Sequence, residues 1–138
     1  MPPSLTQAAP AECTPAELGR WGERLAARFL AESGLKVLRR NFRARHGGEL
    51  DLVCREGKVL VFVEVKTRRS DFHGRPIEAI DEEKRRLLIR GAMEWLRHLH
   101  YPDVFYRFDV VEVLAPPGQA PEIQHVPNAF QTTERHYR

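Results

Sequence analysis

Apolar side chains first fall into a repeating pattern at Leu18, Trp21, Leu25 and Phe29, the three- and four-residue spacing that lines one face of a helix. Thr14-Pro15-Ala16-Glu17 ahead of them reads as a capping box with proline at the first helical position, and Ser33-Gly34 reads as a stop. A helix is therefore predicted over residues 15–33. The period then changes from helical to extended. Residues 35–44, 48–55 and 59–67 are candidate strands, the last two joined across Glu56-Gly57-Lys58 as a hairpin. The third carries Val59, Val61, Val63 and Val65 on one face and Leu60 and Phe62 on the other, which places it at the centre of a sheet, buried on both sides.

Residues 68–80 lack periodicity. Asp81 then offers an N-cap, with Glu82 and Glu83 in the first turn of a second helix where the dipole favours them. Its apolar stripe is Leu88, Ala92, Trp95, Leu96 and Leu99, and it ends before Tyr101-Pro102. A strand over 105–114 follows, then the breaker APPGQAP and a weaker strand near 123–126. The expected fold is α/β, a mixed central sheet flanked by helices in the order α-β-β-β-α-β(-β). We expect a flexible arm over 1–14, one domain over 15–128 and a tail over 129–138.

Composition narrows the function classes. At 138 residues and 16.0 kDa one core is enough, and no run approaches the roughly 20 apolar residues of a membrane-spanning helix. Cys13 and Cys54 fit neither a disulfide framework nor a zinc site, and the N-terminus lacks the features of a secretory signal, so a cytoplasmic protein is expected. The net charge is only +3, yet 18 of the 22 basic residues are Arg, the group whose planar fork matches phosphate.

Candidate chemistry lies in the hairpin. A two-residue Gly57-Lys58 turn puts Asp51 opposite Glu64, and strand alternation puts Lys66 on the same face as Glu64. Two adjoining carboxylates repel when ionised and persist where they share a proton or a cation. An oxygen-only donor set suits Mg²⁺ or Mn²⁺, with Lys66 placed to orient water or to neutralise charge developing on phosphorus. Glu23, flanked by Gly19, Gly22, Ala26 and Ala27, sits on a helix slim enough to lie close to the sheet and reach the same cluster.

The segments Gly22-Glu23 with Ala26, Gly48-Glu49-Leu50-Asp51-Leu52, Phe62-Val63-Glu64-Val65-Lys66-Thr67-Arg68 and Arg107-Phe108-Asp109-Val110-Val111 together resemble the YraN-like family of uncharacterised bacterial proteins. These are similar to the archaeal Holliday-junction resolvases of the PD-(D/E)xK, restriction-endonuclease-like fold. The resemblance covers roughly residues 18–128. It implies that Asp51 and Glu64, assisted by the backbone carbonyl of Val65, hold Mg²⁺ or Mn²⁺, that Lys66 is the catalytic lysine, and that Glu23 completes the site. The implied activity is metal-dependent endonucleolytic hydrolysis of DNA, with branched or structured DNA as candidate substrate. A non-catalytic nucleic-acid-binding protein on the same fold is the alternative.

Arg68, Arg69, Arg75, Arg85 and Arg86 are the candidate phosphate-tracking residues. Lys84 is within reach of the site as an auxiliary cation and Glu49 neighbours Asp51 as a supporting group, yet both read more simply as solvated side chains; Arg107 and Asp109 read as a mutual pair. Trp21 and Trp95 belong to the core, and His98 and His100 fall on different helix faces and make no metal site. No membrane partner is expected, and a homodimer would suit a two-fold symmetric branched substrate.

Overall fold

The computed structural model describes residues 4–70, 81–100 and 103–131. Helix α1 spans Pro15–Glu32 and opens on the predicted capping box: the Glu17 N–H donates to the Thr14 hydroxyl (3.1 Å) and the Thr14 N–H to the Glu17 carboxylate (2.8 Å). Strands β1 (Lys36–Arg43), β2 (Glu49–Glu56) and β3 (Val59–Arg68) follow, then α2 (Glu82–His98), β4 (Phe105–Leu114) and β5 (Glu122–Phe130). The sheet order is β1-β2-β3-β4-β5, antiparallel except for the β3–β4 pair, which α2 and its flanking segments connect. This is the expected α/β architecture, a mixed five-stranded sheet between helices, and it is consistent with a nuclease-like core.

Each helix covers one face. Trp21, Leu25, Ala26 and Leu30 of α1 pack with Val61, Val63, Val65, Val111 and Val113. Leu88, Ala92 and Leu96 of α2 pack with Leu60, Phe62, Phe108 and Val110 on the other side. β3 is thus central and buried on both faces, as its sequence predicts. Gly57, at φ 59, supplies the positive φ that the hairpin turn needs at its first position, and the ladder runs from Glu56↔Val59 to Leu52↔Val63.

Two segments outside the expected domain bounds, among the described residues, pack against the core. Ala9 is buried and Leu5 packs beside it in the α1 cluster, so these two residues of the expected arm lie against the domain. The weak last strand extends to Phe130, whose ring stacks on Phe108 with centroids 4.8 Å apart, so Ala129 and Phe130 belong with the sheet. Pro127 is tolerated because β5 is an edge strand.

One irregularity bears on the candidate site. Leu50 and Leu52, two apart on β2, should share a face, yet Leu52 packs under α1 and Leu50 under α2. The alternation slips at Asp51. Across the β1–β2 ladder the position between Arg40↔Leu52 and Phe42↔Leu50 is Asn41, which adopts a left-handed φ of 55. Asn tolerates that conformation better than most residues.

Candidate functional site

The start of β2 and the end of β3 meet at one end of the sheet, and both helices are pinned there by glycines. A Cβ on Gly22 of α1 would overlap the Thr67 side chain at the end of β3. On the opposite face a Cβ on Gly48 would overlap the α2 backbone at Gly91, while one on Gly91 would press on the Leu50 Cγ (2.9 Å) and the Glu49 carbonyl (3.1 Å). The small-residue collar expected around Glu23 therefore acts through Gly22; Gly19 has no neighbour within 4 Å.

Between these contacts Glu23, Asp51, Glu64 and Lys66 come together. The described β2–β3 ladder stops at Leu52, and the next donor on β3, the Val65 N–H, is taken by the Asp51 carboxylate at 2.8 Å. Asp51 lies within hydrogen-bonding reach of Glu64, and Glu23 within reach of Asp51. Glu64 is 2 % exposed; one oxygen, Oε2, lies 3.2 Å from the Lys66 Nζ, and the other, Oε1, is buried without a hydrogen-bond partner.

The electrostatics follow from this crowding. Burial pushes the Asp51 carboxyl well above its ordinary range, and the Glu64 carboxyl and then Glu23 push the same way against the Val65 N–H. Glu23 is raised as well, first by burial and further by Glu64, against the hydrogen bond to Asp51 and the fields of Arg43 and Arg20.

Two side chains read from sequence as solvated prove to be part of this cluster. Lys84, in the first turn of α2, sets its Nζ 2.6 Å from Glu49 Oε1 and 3.4 Å from Glu64 Oε2. Glu49 also takes Arg43 at 2.9 Å, and its hydrogen bond from Lys84 lowers its pKa. Burial alone would depress the Lys84 ammonium, but Glu49, Glu64 and Asp51 outweigh it and hold it above its usual value. A further buried acid, Glu112, is 4 % exposed and stands beside Lys66 in the parallel β3–β4 register. Its signal was available in the sequence: Val-Val-Glu-Val on β4 repeats the Phe-Val-Glu-Val pattern of β3, a carboxylate inside a strand with no polar face.

The donor set suits a hard cation in kind: two adjoining carboxylates, one carrying an oxygen with no donor, on a rigid strand pair. It is not a cage. Among the described residues no three His, Cys, Asp or Glu side chains are arranged to hold a metal ion together. Glu23 interacts with Asp51 and Asp51 with Glu64, and two carboxylates are within the one or two that Mg²⁺ usually takes.

Four of the candidate phosphate-tracking arginines lie among the described residues, and each makes a contact of its own. Arg68 is exposed and donates to the Thr67 carbonyl, Arg85 lies 5.5 Å from the Phe130 ring centroid, and Arg86 pairs with Glu82 at 3.8 Å. Arg69 is engaged structurally, reaching back to the Pro10 carbonyl and to Cys13 Sγ (3.3 Å). Arg75 lies outside the described residues. Among the described residues, Arg20 and Arg43, from α1 and β1, act on Glu23 through their charge.

At the other end of the hairpin Arg107 and Asp109 pair as expected, with Nε–Oδ1 at 2.9 Å, and this pair stands apart from the candidate site. Trp21 is buried in the α1 cluster, and Trp95 packs edge-on against Phe42. Among the described residues no helix is long and apolar enough to cross a membrane.

Residues 22–113 match the uncharacterised protein family UPF0102. The UPF0102 protein of Geobacter metallireducens is 46% identical over 114 residues, covering 83% of this chain and 92% of the relative. That of Rhodococcus opacus is 49% identical over 115 residues (82% and 95%), and that of Syntrophomonas wolfei 47% over 116 (83% and 97%). With relatives of such different bacteria matching over nearly their whole length, the chain belongs to the UPF0102 family.

Proposed function

We propose that this protein is a Mg²⁺- or Mn²⁺-dependent phosphodiester hydrolase acting on DNA, with branched or otherwise structured DNA as the substrate class. The observation that carries the reading is Glu64: a carboxylate 2 % exposed, one oxygen without a donor, set against a second carboxyl and an ammonium at a strand end. Burying such a group costs several kcal/mol unless something compensates it, and charged side chains so placed concentrate at functional sites. The G-E-L-D-L and F-V-E-V-K-T-R segments resemble the YraN-like family, and the similarity expected between that family and archaeal Holliday-junction resolvases supports the same reading.

In this reading Asp51, Glu64 and the Val65 carbonyl would hold the ion, with Glu23 completing the acidic pocket. The ion, when bound, would supply charge neutralisation at the phosphate and make a neighbouring water more acidic. Lys66 orients the attacking water and neutralises charge gathering on phosphorus, while the Val65 N–H fixes the Asp51 carboxylate. The water oxygen bonds to phosphorus, the phosphorus–oxygen bond to the leaving sugar breaks, and the departing oxygen takes up a proton as the water loses one.

The test is cleavage of duplex, single-stranded and four-way-junction DNA with Mg²⁺ or Mn²⁺ by the wild type, Glu64→Ala and Lys66→Ala. We expect cleavage by the wild type and a loss of about a thousandfold or more in both variants. A second reading, a non-catalytic DNA-binding protein, is favoured by the absence of a three-ligand cluster among the described residues and by the ion pairing of Glu64. No cleavage with either metal, with DNA binding unchanged in both variants, would select it.

A further inference from the structure

We infer that Lys84 is a second phosphate-facing cation of this site, presented by the first turn of α2 and resting between Glu49 and Glu64 until phosphate takes their place. The inference rests on the hydrolase reading above and adds to it a residue from a different element. Its backbone is fixed. The Lys84 N–H donates to the Asp81 side chain at 2.9 Å, and Gly91, two helical turns on and on the same helix face, holds α2 against Gly48 and Leu50. The lysine stem therefore points at the sheet, 3.4 Å from Glu64 Oε2, where the Lys66 ammonium also arrives at 3.2 Å.

Two features separate this from a clamp that merely ties α2 to β2. Glu49, at 2.6 Å, already suffices for a clamp, and Glu64 already has an ammonium in Lys66, so the Lys84–Glu64 approach is redundant for stability. The choice of cation is also informative. The chain has 18 Arg and only four Lys, yet among the described residues both cations on Glu64 are Lys. A compact ammonium on a flexible stem can leave a carboxylate for a phosphate oxygen; a guanidinium fork held by two parallel hydrogen bonds does so less readily. In this arrangement Lys84 competes with the metal ion for Glu64 before substrate binds and faces the phosphate afterwards.

The experiment uses Lys84→Gln and Lys84→Arg in the full chain. It reads Mn²⁺ affinity by calorimetry, cleavage of four-way-junction DNA, and the thermal midpoint. Removing a positive charge beside Glu64 should tighten Mn²⁺ binding by about three- to tenfold, while cleavage at saturating DNA slows by about 10- to 100-fold. Lys84→Arg should regain part of that rate with wild-type Mn²⁺ affinity. A clamp cannot produce this opposition, because loosening α2 does not improve an ion site. A folded Lys84→Gln with wild-type cleavage, or with Mn²⁺ binding unchanged or weaker, overturns the inference while leaving the hydrolase reading standing. A wild type that neither binds Mn²⁺ nor cuts overturns both.

Discussion

The sheet buries two carboxyl clusters at opposite ends of the β2–β3 hairpin, and they are solved differently. Asp109, 1 % exposed, accepts from Arg107 Nε (2.9 Å) and the Asn128 N–H (2.9 Å) and pairs with His125 Nε2 (2.7 Å); Arg107 in turn reaches Glu56 at 2.9 Å. Burial would raise its pKa, but His125, Arg107 and the Asn128 amide more than offset this and hold it below the ordinary carboxylate value. Asp51 has one amide donor and two carboxyl neighbours, and it is raised. One cluster is a closed network that braces β4 against β5 and the hairpin. The other leaves Asp51 between carboxyl groups with one amide donor, the condition in which a cation or a phosphate-bound metal adds most.

That contrast is broken most severely at its satisfied end. Asp109→Ala leaves Arg107 and His125 facing a buried gap and exposes the Asn128 N–H to no acceptor. The expected loss is about 3–5 kcal/mol in urea unfolding. A loss below about 1 kcal/mol would mean that the network is ornamental and that the comparison has no energetic content. The next effect belongs to the packing that assembles the poor cluster. Gly48→Ala drives a methyl into the α2 backbone at Arg90 and Gly91, which cannot rotate away. We expect about 1–3 kcal/mol of destabilisation, together with weakened Mn²⁺ binding as Lys84 and Glu49 shift.

The two ends should also answer pH with opposite signs. Asp51 has a folded pKa above its unfolded value of about 3.9, so folding favours its neutral form relative to the unfolded chain. The stability it contributes is present below the unfolded pKa and is lost as pH rises through the folded one. Asp51→Asn should therefore stabilise the metal-free protein at neutral pH by roughly 1–2 kcal/mol, while abolishing Mn²⁺ binding. Its amide oxygen can keep the Val65 N–H, and its NH₂ can donate to a Glu64 oxygen. The gain should vanish as pH falls below about 4. Asp109, depressed in the fold, does the reverse: its contribution is present above about 3.9 and is lost as pH falls through its folded pKa. Chemical unfolding of wild type and both variants from pH 3 to 8 checks both signs, and a neutral-pH loss for Asp51→Asn would refute the claim that this end is under-compensated.

Much of this was legible because it depends on short-range pattern. The capping box, the hairpin register and the both-sided burial of β3 are local rules, and they suffice to bring Asp51 to Glu64 and to put Lys66 beside it. What was missed depends on how distant elements meet. Lys84 and Glu49 are 35 positions apart and make contact because two glycines let α2 lie on the start of β2. Arg69 reads as a free phosphate ligand until the arm at Pro10 and Cys13 folds back onto it. Glu112 falls between these cases, since its strand pattern announces burial while its neighbour, Lys66, follows only from the parallel β3–β4 pairing.

The slip at Asp51 belongs with what was missed, and it yields the smallest effect. Asn41 sits across from Asp51 at φ 55, with Leu50 and Leu52 departing to opposite faces on either side. If that left-handed residue turns the β1–β2 ribbon so that Asp51 points across to β3 and the Val65 N–H, the conformation matters and the amide side chain does not. Asn41→Gly should then hold stability within about 0.5 kcal/mol and keep Mn²⁺ affinity, because glycine adopts positive φ freely. Asn41→Ala should cost about 1 kcal/mol through the left-handed backbone alone and weaken Mn²⁺ binding about threefold as the Asp51 carboxylate shifts, a modest displacement at a site whose ligands must be held tightly. Equal behaviour of the two variants would place the origin of the slip in β2 itself, in the packing of Leu50 under α2, and would make Asn41 a consequence of the site's geometry and not its cause.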